Sequence, residues 1–276
     1  MRIDSHHHLW RYAPADYPWI SDRMPVLKRD FLPADLEANL AAAHVDASVA
    51  VQASQTVDET RWLLELARAH SAIRGVVGWV PLIDPKVEDV LAPLAGDPHL
   101  RGVRHILHDE GDDEYALRDD FNRGIDRLRS FHLAYDILIF AKHLPVAIRF
   151  VDRHPNQPFV VDHIAKPTIA ADRFDVDWAR GLRELAKREH VTCKLSGVVT
   201  EVRDDKWTRE LIAPYVDTAL EAFGPDRLMF GTDWPVCLLR ASYVEWTETV
   251  AALISRLSKT EQEAIWSGTA KRVYGL

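Results

Sequence analysis

The chain opens on Arg2-Ile3-Asp4-Ser5-His6-His7-His8, a short β-type run that ends in three imidazoles. Side chains alternate along a strand, so His6 and His8 share one face and His7 takes the other. Two imidazoles spaced about 7 Å along one face can hold a divalent cation or a substrate oxyanion. An expression tag would be longer and would not run straight into Leu9-Trp10-Arg11-Tyr12. Near the other end, Gly231-Thr232-Asp233-Trp234-Pro235 places an acid in a turn. There Asp233 can take a proton from water attacking a carbonyl, although turn acids also serve as helix caps. Arg104 is permanently cationic and can hold an oxyanion or a carboxylate with two aligned donors, or simply pair with a structural acid. Asp162 and His163 are adjacent and face opposite ways. We expect His163 to be the inward one, because Phe159 and Val161 share its face.

Elements that could gather these residues recur along the whole chain. Apolar, β-branched runs predict strands at about 2–6, 48–53, 75–80, 101–106, 134–139, 158–163, 190–196 and 227–232. Several are continuous apolar runs, the mark of parallel strands buried on both faces. Amphipathic stretches such as 59–68 and 182–187 lie between them, with apolar residues at three- and four-residue intervals. Pro33, followed by Asp35 and Glu37, reads as a helix start. Eight strand signals, each followed by a helix signal, predict a (β/α)8 barrel in one domain spanning 1–276. An open doubly wound sheet would bring a glycine-rich turn after an early strand, and none occurs.

In a barrel, the C-terminal strand ends form one mouth. The predicted ends carry His6 and His8, then Gln52, Arg104 with His105, Asp162 with His163 and nearby Lys166, Lys194 with Ser196, and Asp233. Residues 9–33, long and rich in aromatics, form a loop over that face: either a lid or a packing flap. Gln52, His105, Lys28, Lys166, Trp207 and Trp234 are the candidates for holding substrate. Lys28 and Lys166 would suit a solvated surface as well. The tryptophans of the loops offer aromatic faces to a small polyhydroxylated ring. His143 and His154 read as ordinary helix-surface residues.

Bulk composition narrows the classes. A net charge of −8 argues against a nucleic-acid binder. Two cysteines, Cys193 and Cys237, make no disulfide framework, and nothing resembles an export signal or a membrane span. A cytoplasmic enzyme with a small-molecule partner is the expectation, and a homo-oligomer stays open.

The chain resembles the amidohydrolase superfamily, and within it the lactonase branch similar to fuconolactonases. The resemblance rests on Asp4-Ser5-His6-His7-His8-Leu9-Trp10, Arg29-Asp30-Phe31-Leu32-Pro33, Gly102-Val103-Arg104-His105, Asp162-His163-Ile164-Ala165-Lys166-Pro167, Cys193-Lys194-Leu195-Ser196-Gly197 and Leu228 to Cys237. It implies a (β/α)8 barrel that opens lactone rings with water, with Asp233 as the base. It also implies one divalent ion at most, most readily zinc, held by His6, His8, His163 and Asp233 and dispensable in some members. Two-metal relatives carry a strand-four lysine or glutamate and a strand-five histidine. Here those strands offer Arg104 with His105, and Tyr135-Asp136-Ile137-Leu138-Ile139. His108 departs from the glutamine the resemblance leads us to expect, which leaves substrate choice open. The rival expectations are a metal-dependent decarboxylase of an aromatic or unsaturated acid and a non-catalytic carbohydrate binder.

Overall fold

The computed structural model describes residues 1–276. Eight parallel strands run in sequence order: β1 (Ile3–His7), β2 (Ala47–Val51), β3 (Ile73–Gly78), β4 (Leu100–Ile106), β5 (Ala134–Leu138), β6 (Phe159–Val161), β7 (Val191–Leu195) and β8 (Leu228–Phe230). Helices α1 (Pro33–Ala42), α2 (Val57–Ala69), α3 (Val87–Ala95), α4 (Asp119–Leu128), α5 (Leu144–Arg153), α6 (Val176–Leu185), α7 (Arg209–Phe223) and α8 (Tyr243–Leu253) follow the strands in turn. The expected (β/α)8 barrel is therefore what the chain builds. Strands six and eight stop sooner than their apolar runs imply, because 162–165 and 231–233 turn away from the sheet.

The helix starts follow local chemistry. Pro33 sits in the first turn of α1, and the Asp35 carboxylate accepts the Leu32 N–H at 3.1 Å. Thr56, Thr208 and Ser242 cap α2, α7 and α8 through their side-chain oxygens.

Apolar burial occurs in two places. A large cluster fills the layer between strands and helices, and Phe159 and Val161 belong to it. A smaller one fills the lower barrel interior: Ile3, Ala47, Val49, Val51, Val77, Ala134, Val160 and Met229. The C-terminal helix Thr269–Tyr274 closes that lower end with Ala270 and Tyr274. The interior thus takes Val160, not its neighbours, which reverses the face we assigned from the sequence. His143 and His154 are also buried rather than on the helix surface. His143 Nδ1 accepts the Phe140 N–H, and His154 lies 2.7 Å from Asn122 Oδ1.

Residues 9–33 are clasped down. Trp10 and Phe31 exchange backbone hydrogen bonds of 3.0 and 2.9 Å. Trp19 donates its indole N–H to the Ala53 carbonyl, and the Tyr17 hydroxyl donates to Glu59. Both cysteines are free and buried, and no helix is long and apolar enough to cross a membrane.

Candidate active site

The barrel closes between its last and first strands, and the site is built on that seam. Asp233 N–H donates to the His6 carbonyl at 2.7 Å and His8 N–H to the Trp234 carbonyl at 2.6 Å. Below them, Thr232 gives its hydroxyl and N–H to the Asp4 carboxylate, which also accepts from Tyr243. A Cβ on Gly231 would stand 2.9 Å from the His6 Cβ, so only glycine lets the two backbones meet here.

Strand β1 carries one extra residue between Asp4 and His7 relative to β2, a bulge that bends the strand and re-aims its side chains. As expected, His6 and His8 turn to one side and His7 to the other, where both its ring nitrogens are buried without a partner. The Nε2 atoms of His6 and His8 stand 3.3 Å apart, nearer than the about 7 Å spacing of same-face positions along a strand. Asp233, in a left-handed conformation at φ 60°, sets its Oδ1 3.3 Å from His8 Nε2 and 3.7 Å from His6 Nε2.

His163 arrives by a route that alternation does not describe. Residues 163–166 all have positive φ, a left-handed run of four non-glycine residues directly after β6. That turn sends both Asp162 and His163 toward the centre. Asp162 points into the barrel axis, and His163 Nε2 stops 3.8 Å from Asp233 Oδ1. The His163 Nδ1 lies 2.9 Å from the Ser196 hydroxyl. Gly197 is the other required glycine: at φ +63°, a Cβ there would press within 2.6 Å of His163 Nδ1.

Beneath this group lies a fully buried set of charges. Asp162 receives Arg104 Nη1 at 3.0 Å and stands 3.0 Å from Lys194 Nζ. Lys194 also bonds Asp136 and lies 3.2 Å from His6 Nδ1. The Tyr274 hydroxyl reaches up from the barrel base to donate to Asp136. Burial works to raise Asp162, but Lys194, His6 and Arg104 outweigh it and hold the carboxyl well below its usual range. Burial drives His6 well below the ordinary imidazole range and takes His163 down to about 4, so both rings are neutral at pH 7. Burial would likewise raise Asp233, yet facing His163 and His8 keeps it below 3.8 and therefore ionised.

This arrangement fits a cation. His8 Nδ1 is 2.8 Å from the Val51 carbonyl, which can only accept, so Nδ1 carries the hydrogen. The Nε2 lone pair of His8 then faces a carboxylate oxygen of Asp233, two acceptors that call for a proton or a metal ion between them. A point equidistant from His6 Nε2, His8 Nε2 and Asp233 Oδ1 lies about 2 Å from each, the length of a zinc–nitrogen or zinc–oxygen bond. Nδ1 anchors on carbonyl or carboxylate groups are how proteins orient such ligands.

Above the group opens a cavity of about 370 Å³, within the range of small-ligand sites. His8, Arg104, His163, Lys166 and Asp233 face it, with His108, Glu201, Arg203, Phe140, Trp19 and Met24 around the rim. Lys166 pairs with Glu201 at 2.7 Å. The other expected substrate contacts lie elsewhere. His105 points outward, stacked on Tyr115 at 5.1 Å and bonded to Glu110, because Arg104 takes the inward position of β4. Gln52 is buried beside Arg104, below the cavity. Trp234 packs against Phe31, Trp207 donates to the Arg240 carbonyl on the outer face, and Lys28 pairs with exposed Asp22. The sequence reading named Lys194 only as a strand end and gave no role to Asp136, Asp162 or Tyr274. For three of them the signal was available: Asp136, Asp162 and Lys194 are charged residues placed mid-strand or at strand ends in otherwise apolar runs.

The comparisons place the chain among known proteins. The amidohydrolase family model matches residues 3–276. The chain is 47% identical over 293 residues to an L-fucono-1,5-lactonase of Burkholderia multivorans, covering 100% of this chain and 96% of that one. An amidohydrolase from Burkholderia multivorans solved with bound zinc superposes with a TM-score of 0.96 at 46% identity, over 100% of this chain and 99% of the other. A 5-carboxyvanillate decarboxylase from Sphingomonas paucimobilis reaches a TM-score of 0.69 over 100% and 99% of the two chains, at 12% identity, a likeness of fold alone. A barrel seamed by His6, His8 and Asp233, with a family match along almost its whole length, makes this chain a member of the amidohydrolase family.

Proposed function

We propose that this amidohydrolase opens the ring of a small lactone, a sugar lactone such as L-fuconolactone or a related aldonolactone. The observation that carries the reading is Asp233 Oδ1 within 3.8 Å of three imidazole Nε2 atoms, with Asp233, His8 and His163 facing a small-ligand cavity. The relative named as an L-fucono-1,5-lactonase supports the choice of substrate.

Asp233 takes a proton from water, whose oxygen bonds to the lactone carbonyl carbon. The carbonyl electrons pass to its oxygen, where His163 and Arg104 offset the negative charge. As the carbonyl re-forms, the bond to the ring oxygen breaks and protonated Asp233 returns its proton to that oxygen. The product is an open hydroxy acid. Lys166, Glu201 and Arg203 offer hydrogen bonds to substrate hydroxyls, and Phe140, Trp19 and Met24 an apolar wall. His6, His8, Asp233 and His163 would hold one divalent ion, zinc by their donor atoms. Such an ion would polarise the carbonyl and acidify water. An alkoxide leaves more easily than an amine, so lactone opening tolerates a site without one.

The test is a pH-indicator assay on a panel of five- and six-membered aldonolactones, with and without chelator, because each ring opening releases a proton. Turnover of an aldonolactone is expected. No acidification with any lactone, alongside loss of carbon dioxide from an aromatic acid, would transfer the site to decarboxylation.

A further inference from the structure

Arg104 Nη1 lies 3.3 Å from His6 Nε2. That nitrogen is also one of the three atoms spaced about a common centre 3.3 to 3.7 Å apart. An imidazole nitrogen has a single in-plane lone pair. Asp162 Oδ1 lies 3.2 Å from His6 Nδ1; in the tautomer that places the hydrogen there, the Nε2 lone pair can be given to a guanidinium N–H or to a metal, not to both.

We propose that Arg104 and a metal ion compete for His6 Nε2, so that the guanidinium is the site's resident cation and holds zinc affinity down. The inference rests on reading this centre as one able to hold an ion. The guanidinium is held by two hydrogen bonds in a buried position: Nη1 donates to Asp162 at 3.0 Å, Nη2 bonds the Gln52 carbonyl, and the side chain is 2% exposed. It cannot lose its charge by deprotonation. In this water-poor interior a fixed positive charge beside an ion's ligand weakens binding directly, by repulsion, and indirectly, by occupying the lone pair. Asp162 offsets part of the repulsion but none of the occupancy. Lys194 adds a second buried ammonium 3.2 Å from the opposite ring nitrogen. Arg104 and Lys194 bracket one imidazole.

The geometry separates Arg104 from an ordinary oxyanion donor. A donor that serves only the substrate would leave metal affinity untouched when removed. Arg104 should instead work against the ion.

The experiment is a zinc titration of the purified full chain in competition with a chromogenic chelator, on wild type, Arg104→Gln and Arg104→Lys. Arg104→Gln should bind zinc at least about tenfold tighter than wild type, since it removes both the charge and the competing donor. Arg104→Lys keeps a positive charge in the same pocket and should stay nearer to wild type. Zinc affinity equal to or weaker than wild type in a folded Arg104→Gln protein would overturn the proposal. If that variant does not fold by circular dichroism, a structure of the zinc-loaded wild type decides. Arg104 Nη1 swung beyond hydrogen-bond reach of His6 Nε2 supports competition, and an unmoved contact with zinc bound at His6 overturns it. Lactone turnover by the wild type is measured separately. Its failure would remove the proposed activity and leave the zinc comparison to stand or fall alone.

Discussion

The floor of the cavity and its rim are held together by opposite physics. The floor is a sealed set of ions: Arg104, Asp136, Asp162 and Lys194, all at or near zero exposure, with His6 among them. Its members pair with one another at about 3 Å, and none can move without stranding a buried charge. On one side of the rim, Trp19 belongs to an aromatic layer. Trp10, Tyr17, Trp19, Phe31 and Trp234 pack edge to face or tilted, and single hydrogen bonds pin Trp19 to Ala53 in the loop after β2 and Tyr17 to Glu59 of α2. Such a layer can lose one ring and settle. The difference teaches where precision is needed. The floor fixes the imidazoles that face Asp233, and the rim fixes who reaches them.

That contrast can be broken in order of cost. Asp162→Asn leaves Arg104 and Lys194 without their shared acid and should cost about 3–5 kcal/mol of stability, the usual penalty for stranding buried charge. Urea denaturation measures it, and a loss below 1 kcal/mol would mean that the floor is softer than its geometry. Replacing Lys194 by Met should cost more alone than together with Asp136→Asn, because the pair removes opposite charges; additive losses in that double-mutant cycle would contradict direct coupling. On the rim, Trp19→Ala should cost about 1–3 kcal/mol and raise KM severalfold with a smaller change in kcat, read by steady-state kinetics. A collapse of kcat with unchanged KM would move Trp19 into the reacting centre.

The smallest effect belongs to Glu59, which accepts from Ala53 N–H, Ser54 N–H and the Tyr17 hydroxyl. Burial lifts its carboxyl from 4.5 to about 7. A folded-state pKa above the unfolded one gives stability that is whole below pH 4.5 and lost as pH rises through 7. Relative to Glu59→Gln, the wild-type melting temperature should therefore fall between pH 5 and pH 8. Parallel curves for the two proteins would show that Glu59 does not titrate in that window.

Much of this was readable in the sequence where a residue's face follows from strand periodicity. The eight apolar runs, the shared side of His6 and His8, and an acid at the end of the last strand all follow from alternation and turn chemistry. Alternation also separates Arg104 from His105, so naming both as inward residues asked too much of one strand. Legibility ended where the chain left the strand. The left-handed run 163–166 contains no glycine, the usual marker of such a turn, so two adjacent residues entering one site could not be foreseen. The bulge in β1 is equally silent, since its extra residue is a serine or histidine like its neighbours. The buried charges are different. Asp136 and Lys194 interrupt apolar strands, and their opposite signs hinted at a pair that only three dimensions could confirm.

The central claim is that Asp233 moves the proton while His6 and His163 stay neutral. Its most direct test is Asp233→Asn, compared with wild type on an aldonolactone that the wild type turns over. We expect kcat to fall by about 100-fold or more, the typical loss for a general base, with KM within a few-fold and the melting temperature preserved. A folded Asp233→Asn protein that opens the lactone at the wild-type rate would contradict the account.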